Sequence, residues 1–334
     1  MTIALQDLVF SDLFIAQSVE GSWYKPTPDS METTPVPQEC ADELLKLRQK
    51  LDLEMGVKTD SHVVLEGDEK KRMRVKRIGV ANQINIYICR SYRILGGDLD
   101  SLGMADAVTS KLMSPDLKSG LVCFIGRPGA GKTTTATTFI RERLRKFGGV
   151  CWSIEKPIEI EMQGKHGQGW CYQIEPEGDG DISPHVRSIF RATPNLLFVG
   201  EIFTAEELKE SIKAAAGGAL VAFTSHGSNL QSGLAKLHRQ AGGESADVGL
   251  ADVLKAAVYL ELHNASAVRP LASQMLISSG SKGTGTPPRI LETRPLFVYE
   301  DDHPARSMIR SGEFSQLSSL IQTQVNQMLM KRLP

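Results

Sequence analysis

The chain has 334 residues, 41% hydrophobic and 6% aromatic, which is enough apolar material for the cores of two average domains. Its 39 acidic residues against 38 Lys plus Arg leave a net charge of -1, which argues against a basic nucleic-acid coat and against an acidic tail. No run approaches the roughly 18 continuous apolar residues of a membrane-spanning helix, the opening MTIALQDLVFSDLFIAQ lacks a basic lead-in to an apolar signal, and five scattered cysteines without a CxxC pair read as reduced thiols, so the sequence predicts a globular cytoplasmic protein.

In chain order, ALQDLVFSDLFIA predicts a short helix followed by a strand. Residues 18–39 carry four prolines in a polar setting and read as a loop or irregular insertion. Residues 39–55 repeat apolar positions at Leu44, Leu47 and Leu51, the spacing of an amphipathic helix. HVVLE, RMRVKRIG and NQINIYICRSYRIL alternate as strands of a small sheet, and GGDLDSLGM at 96–104 marks a domain boundary, giving a small α+β domain over 1–99 and a second domain over 100–334. In the second domain MADAVTSKLMS reads as a helix, LVCFIG as a buried strand, KTTTATTFIRERLRKF as a long helix and VCWSIE as a second strand. NLLFVGE and ALVAFTSH follow as strands separated by the helical AEELKESIKAAAGG. Continuous apolar strands alternating with helices predict an α/β fold with a mostly parallel sheet covered on both faces. AGGESADVG at 241–249 and SSGSKGTGTPP at 278–288 read as mobile or unpacked segments, and SQLSSLIQTQVNQMLMKR as a closing amphipathic helix packed on this subunit or a neighbour.

The chemistry concentrates at GRPGAGKT, residues 126–133, which fits the GxxxxGK[ST] phosphate loop between a buried strand and a helix. Gly126, Gly129 and Gly131, with Arg127, Pro128 and Ala130 between them, let backbone donors curl around phosphates while the helix start adds its positive end. Lys132 is expected to reach the β and γ phosphates of ATP, Thr133 to hold Mg²⁺ and Thr134 to meet the α phosphate. Hydrolysis also needs an activated water, and neighbouring strand ends supply Glu155 after CWSI and Glu201 after LLFVG. One would polarise water while the other organises Mg²⁺. His226, after ALVAFTS, is either a γ-phosphate contact or a structural histidine; the remaining histidines have no metal-ligand spacing. Residues 66–77 hold six basic and three acidic side chains, the pattern of a solvated sheet face. Arg74, Arg90 and Arg93 lie on predicted strands where an arginine can swing toward a phosphate held by the next domain or subunit. Without aromatic platforms this cluster does not favour nucleic acid as a partner.

These segments resemble the motor ATPases of type II and type IV secretion systems, in the branch of the type IV pilus retraction ATPase and the Dot/Icm and conjugative plasmid transfer ATPases. Four landmarks occur in family order: GRPGAGKTT at 126–134, SIEKPIE at 153–159 for the acidic box, NLLFVGE at 195–201 for the Walker B segment and GGALVAFTSH at 217–226 for the histidine box. FSDLFI at 10–15, RMRVKR at 72–77 and ARSMIRSGEFSQLSSLIQT at 305–323 extend the resemblance nearly end to end. It implies a PAS-like N-terminal domain before a RecA-like P-loop ATPase domain, ATP and Mg²⁺ as cofactors, and a homohexamer. It further implies docking to an inner-membrane platform from the cytoplasmic face without membrane insertion. Residue by residue it gives Lys132 and Thr133 the phosphate and metal roles, Glu155 the acidic-box role, Glu201 the Walker B role and His226 the histidine-box role, with Arg74, Arg90 and Arg93 as counterparts of phosphate-reaching arginines. Lys156 departs from a usually acidic position and puts a cation beside Glu155 that would lower its basicity. IFT after Glu201 and the SHGSN run depart as well. A nucleotide-binding ring or regulatory component with little turnover and a DNA-translocating ATPase are the competing readings.

Overall fold

The computed structural model describes residues 4–26, 30–56, 60–65, 71–81, 84–91, 97–176, 182–245, 249–264, 289–300 and 303–330. Two compact units emerge, one built on the residues up to 94 and the other on the remainder of the chain described.

In the first unit, a turn of 3-10 helix at Leu5–Asp7 precedes β1 (Asp12–Ile15), β2 (Trp23–Lys25), β3 (Thr34–Pro35), α1 (Ala41–Met55), β4 (Asp60–Leu65), β5 (Lys71–Val80) and β6 (Ile84–Ser91). The strands form one antiparallel sheet in the order β3-β2-β1-β6-β5-β4. The leucine spacing of α1 puts Leu44, Leu47, Leu51 and Met55 on one face, where they meet Leu13, Ile15, Met73, Val75 and Tyr87 in a single core. Asp42 and Glu43 sit in the first turn of that helix, where its dipole favours negative charge. Two short strands, β2 and β3, occupy the segment expected to be irregular. Tyr24 and Thr34 pair across them, and Trp23 stacks on Phe14 of β1 with ring centres 3.8 Å apart. Pro35 cannot donate to a ladder, which is tolerable because β3 is an edge strand.

The second unit runs α2 (Asp106–Leu112), β7 (Gly120–Gly126), α3 (Lys132–Phe147), β8 (Gly149–Ile154), β9 (Gly164–His166), β10 (Gly169–Ile174), α4 (Ser183–Phe190), β11 (Leu196–Glu201), α5 (Ala205–Ala216), β12 (Leu220–His226), α6 (Leu230–Ala241), α7 (Leu250–Val253), β13 (Leu254–Asn264), β14 (Arg289–Phe297), α8 (Pro304–Arg310) and α9 (Leu317–Met330). Its sheet has the order β14-β13-β7-β12-β11-β8-β10-β9, parallel from β13 to β10 with an antiparallel strand at each edge. The apolar runs form the parallel strands, as their lack of alternation predicts, and β7 is buried along its whole length. Residues of α2 and α3 pack on one face of the sheet and those of α4, α5, α6 and α8 on the other, while α9 contributes Leu317 and Ile321 to the second face and Met328 to the first. Arg143 of α3 is buried and donates to the carbonyls of Leu112, Ser114 and Leu117, so one guanidinium ties the end of α2 to α3.

Four strands, β9, β10, β13 and β14, are additions to the expected pattern. The closing helix is present as α9 over Leu317–Met330, with Leu317 and Ile321 in the core of this same chain. Of the two segments read as loops, 243–245 forms a 3-10 turn, while 246–248 and 278–288 lie outside the described residues. On β8 and β10 the side chains alternate: Cys151 and Cys171 point into the core beneath α3, while Trp152, Trp170 and Tyr172 face the other way. Trp152 stacks on Tyr172 with ring centres 4.8 Å apart, and Trp170 lies 6.1 Å from Tyr172. No helix among the described residues is long and apolar enough to cross a membrane.

Candidate nucleotide site

The loop at 126–131 leaves the carboxyl end of β7, the strand flanked by β12 and β13, and turns directly into α3. Gly129 and Gly131 adopt positive φ values of 77° and 83°, so the loop folds back on itself in a conformation L side chains rarely adopt. Gly131 is the helix N-cap, and the first turn of α3 presents backbone N–H groups that helix geometry leaves without partners. Arg127, Pro128 and Gly129 are exposed, Ala130 is buried, and Thr133 and Thr134 are half-buried at the helix start.

Lys132 is 7% exposed. Its ammonium donates to the Arg127 carbonyl at 3.2 Å and lies 3.2 Å from His226 Nδ1. Burial pulls its pKa down, opposed by the charges of Glu201 and Glu159. His226 ends β12, one strand over from β7, and burial and the Lys132 charge lower its pKa, favouring neutral imidazole. A lysine donating to Nδ1 leaves the ring proton on Nε2, which is 2.8 Å from Glu201 Oε1. That last contact is close but off the N–H direction, and Glu201 Oε1 remains buried without a hydrogen bond. Glu201 ends β11, and burial raises its pKa while Lys132 pulls it back down.

The turn after Glu201 is fixed by a capping box on α5. Thr204 Oγ1 accepts from Glu207 N–H at 3.2 Å, and Glu207 Oε2 accepts from the N–H groups of Phe203 and Thr204 at 2.8 and 3.0 Å. The residues of IFT therefore build a rigid exit from the strand.

Glu155 follows β8, beside β11, and is 1% exposed. It packs against Gly200: a Cβ placed there would lie 3.0 Å from Glu155 Cγ, so the missing side chain makes room for the carboxylate. Burial pushes the Glu155 carboxyl up to about 7, against the opposing hydrogen bonds from Ser153 and Gln173. The lowering expected from Lys156 is thus overturned. Lys156 is half-buried, and desolvation of Glu155 decides the direction. Three polar atoms around the loop, Glu155 Oε2, Glu201 Oε1 and Ser225 Oγ, are buried without hydrogen-bond partners. Lone pairs left open in this way beside a phosphate loop suit a hydrated ligand.

The structure also brings in a residue that the sequence did not single out. Lys236 of α6 acts electrostatically on Lys132, Glu201 and His226 together. Gln240, one helical turn further on, donates to the Phe203 carbonyl at 2.9 Å, which lays that face of α6 over the segment following Glu201. Only the lie of α6 against the β11 exit reveals this cation; its spacing from His226 carries no signal. The arginines are placed differently. Arg74 and Arg90 stand opposite each other on β5 and β6 of the first unit, Arg90 Nε donates to Asp12 Oδ1 at 2.7 Å, and Arg93 lies outside the described residues.

Residues 45–286 match the family described as "Type II/IV secretion system protein". The chain belongs to this family. Among type II/IV secretion system proteins, it is 29% identical over 192 residues to the type IV pilus assembly ATPase TfpB of Acinetobacter baylyi, a match covering 58% of this chain and 30% of that protein. It is 26% identical over 212 residues to the type IV pilus ATPase PilU of Pseudomonas aeruginosa, covering 63% of this chain and 50% of that one. The chain thus spans half or less of the length of these relatives. Its fold is similar to that of the Legionella pneumophila ATPase DotB, with a TM-score of 0.68 and 17% identity over 96% of this chain and 85% of that one. The pilus retraction motor PilT with bound ADP gives 0.67 and 21% over 98% and 90%. At these identities the likeness speaks to fold, and it gives this member of the secretion family a RecA-like P-loop NTPase core.

Proposed function

We propose that the chain is an ATP-hydrolysing motor subunit that works as a homohexameric ring on the cytoplasmic face of a type IV secretion, conjugation or type IV pilus machine, held to the inner membrane through partner proteins. The observation that carries this reading is the grouping of Lys132, His226 and Glu201 at the mouth of the phosphate loop, beside a buried Glu155 whose carboxyl titrates near neutrality. Residues 126–134 cradle the phosphates through backbone N–H groups, and Lys132 exchanges the Arg127 carbonyl and His226 for phosphate oxygens. Thr133 and Glu201 hold Mg²⁺, which neutralises charge on the phosphates when bound. Glu155 takes a proton from water at a pKa matched to neutral pH, and neutral His226 donates toward the γ phosphate. Arg74, Arg90 and Arg93 belong to a PAS-like unit over 1–99, a reading supported by its antiparallel sheet with β1 inside the order, and they are the candidate arginines for a phosphate held by a motor domain over 100–334 of this or another subunit.

Phosphate release by purified protein with ATP and Mg²⁺ tests the reading. Lys132→Ala and Glu201→Ala are each expected to reduce kcat by about 100-fold or more. A wild type that released no more phosphate than either variant, alone and with its assembly partners, would end the motor assignment.

A further inference from the structure

The Glu155 carboxylate is held at one oxygen and open at the other. Its Oε1 accepts from the Ser153 hydroxyl and, at 3.0 Å, from the Gln173 amide, whereas Oε2 has no hydrogen-bond partner. Ser153 lies on β8 and Glu155 just past its end, and the hydroxyl of Ser153 reaches the carboxylate of Glu155. Gln173 lies directly beside Ser153 in the parallel register of β10. The glutamine is itself over-determined. Its Nε2 also donates to the Ile160 carbonyl at 2.9 Å, its Oε1 accepts from Met162 N–H, and its own backbone N–H donates to Gln163 Oε1 at 2.8 Å. With its amide committed at both ends, Gln173 cannot rotate away from the carboxylate, and a carboxylate pinned through one oxygen has a fixed direction for the other.

We propose that Gln173, assisted by Ser153, is a positioning residue that aims Glu155 Oε2 at the water attacking the nucleotide. The proposal rests on the reading of this site as an ATPase centre. The charged and titratable neighbours of Glu155 are few. Glu159 on the following loop pushes its carboxyl up, the Cys151 thiol on β8 is itself held neutral by burial, and Glu175 lies exposed beyond the end of β10. Past Gly200 on β11 comes Glu201, which responds to Lys132, Glu159 and Lys236. Burial raises the Glu155 carboxyl, and the donors that oppose it are the Ser153 hydroxyl, the Gln173 amide and the Glu159 backbone N–H.

The test uses Ser153→Ala and Gln173→Met, each made in wild type and in Glu155→Gln. Melting temperatures between pH 5 and 9, taken as the difference from the Glu155→Gln background, isolate the proton step of Glu155 without requiring activity. Losing one donor to the carboxylate is expected to move that step up by about one pH unit. The acid limb of kcat for phosphate release is expected to follow it, with KM for ATP unchanged. An unmoved step overturns the proposal, and so does a moved step accompanied by a change in KM alone. Gln173 also holds Met162 and Ile160, so if Gln173→Met is too unstable to assay, Ser153→Ala decides, its hydroxyl donating to Glu155. A wild type without phosphate release would defeat the ATPase reading and with it the aimed water, while an unmoved melting step in an active enzyme defeats the clamp alone.

Discussion

Glu155 is a carboxyl group whose protonation is coupled to folding. Burial raises it from 4.5 to about 7, so between those values the folded chain holds a proton that the unfolded chain has released. Stability contributed at this position is therefore present at low pH, falls as pH rises through that window and stays low above it. The difference of about 2.5 pH units corresponds to roughly 3 kcal/mol. Glu155→Gln is expected to unfold at higher urea than wild type at pH 8 by up to that amount and nearly together with it at pH 5, and urea titrations at both values check this. The site's strand-end residues were legible because an apolar run that stops at a glutamate or histidine marks a sheet edge whatever the strand order. Ser153, Gln173 and Lys236 were not, since their roles depend on β10 lying beside β8 and on α6 crossing the exit of β11. Lys156 misled for a related reason. Adjacency in sequence suggested a Coulombic effect, but the burial of Glu155 outweighs it.

At the scale of elements, a single buried guanidinium does the work of a cap. Arg143 supplies donors to three carbonyls at the end of α2 and beyond it, keeping the strand that leads into the phosphate loop packed from that side. Arg143→Met preserves the aliphatic stem and removes the donors. It is expected to lower stability by about 2–4 kcal/mol, read as a fall in urea midpoint at unchanged slope. The helices and central strands matched their sequence periods closely; α3 begins at the lysine and ends before Gly148, as the punctuation of that segment suggests. The edge strands were harder to foresee. β9 has three residues, β3 has two, and β14 pairs with β13 across a long intervening segment, so their stability comes from a ladder partner and leaves little local pattern to read.

For the whole molecule, a ligand that binds the folded second unit and not the unfolded chain must stabilise it by mass action. ATP with Mg²⁺ at about 100 times its dissociation constant is expected to add roughly 2.7 kcal/mol. Differential scanning calorimetry checks this, with Lys132→Ala expected to show no such rise. The division into two units matters to how that experiment is read, because the nucleotide loop lies wholly in the second of them.

The placement of the indoles makes the division directly visible. The chain has three tryptophans. Trp23 stacks on Phe14 in the first unit, while Trp152 and Trp170 flank Tyr172 on the two strands that also carry Ser153 and Gln173. Replacing Trp23 with phenylalanine leaves a chain whose indole emission arises only from the second unit, and removing the other two leaves one that reports only the first. The protein thus carries its own pair of separable optical probes, one for each unit.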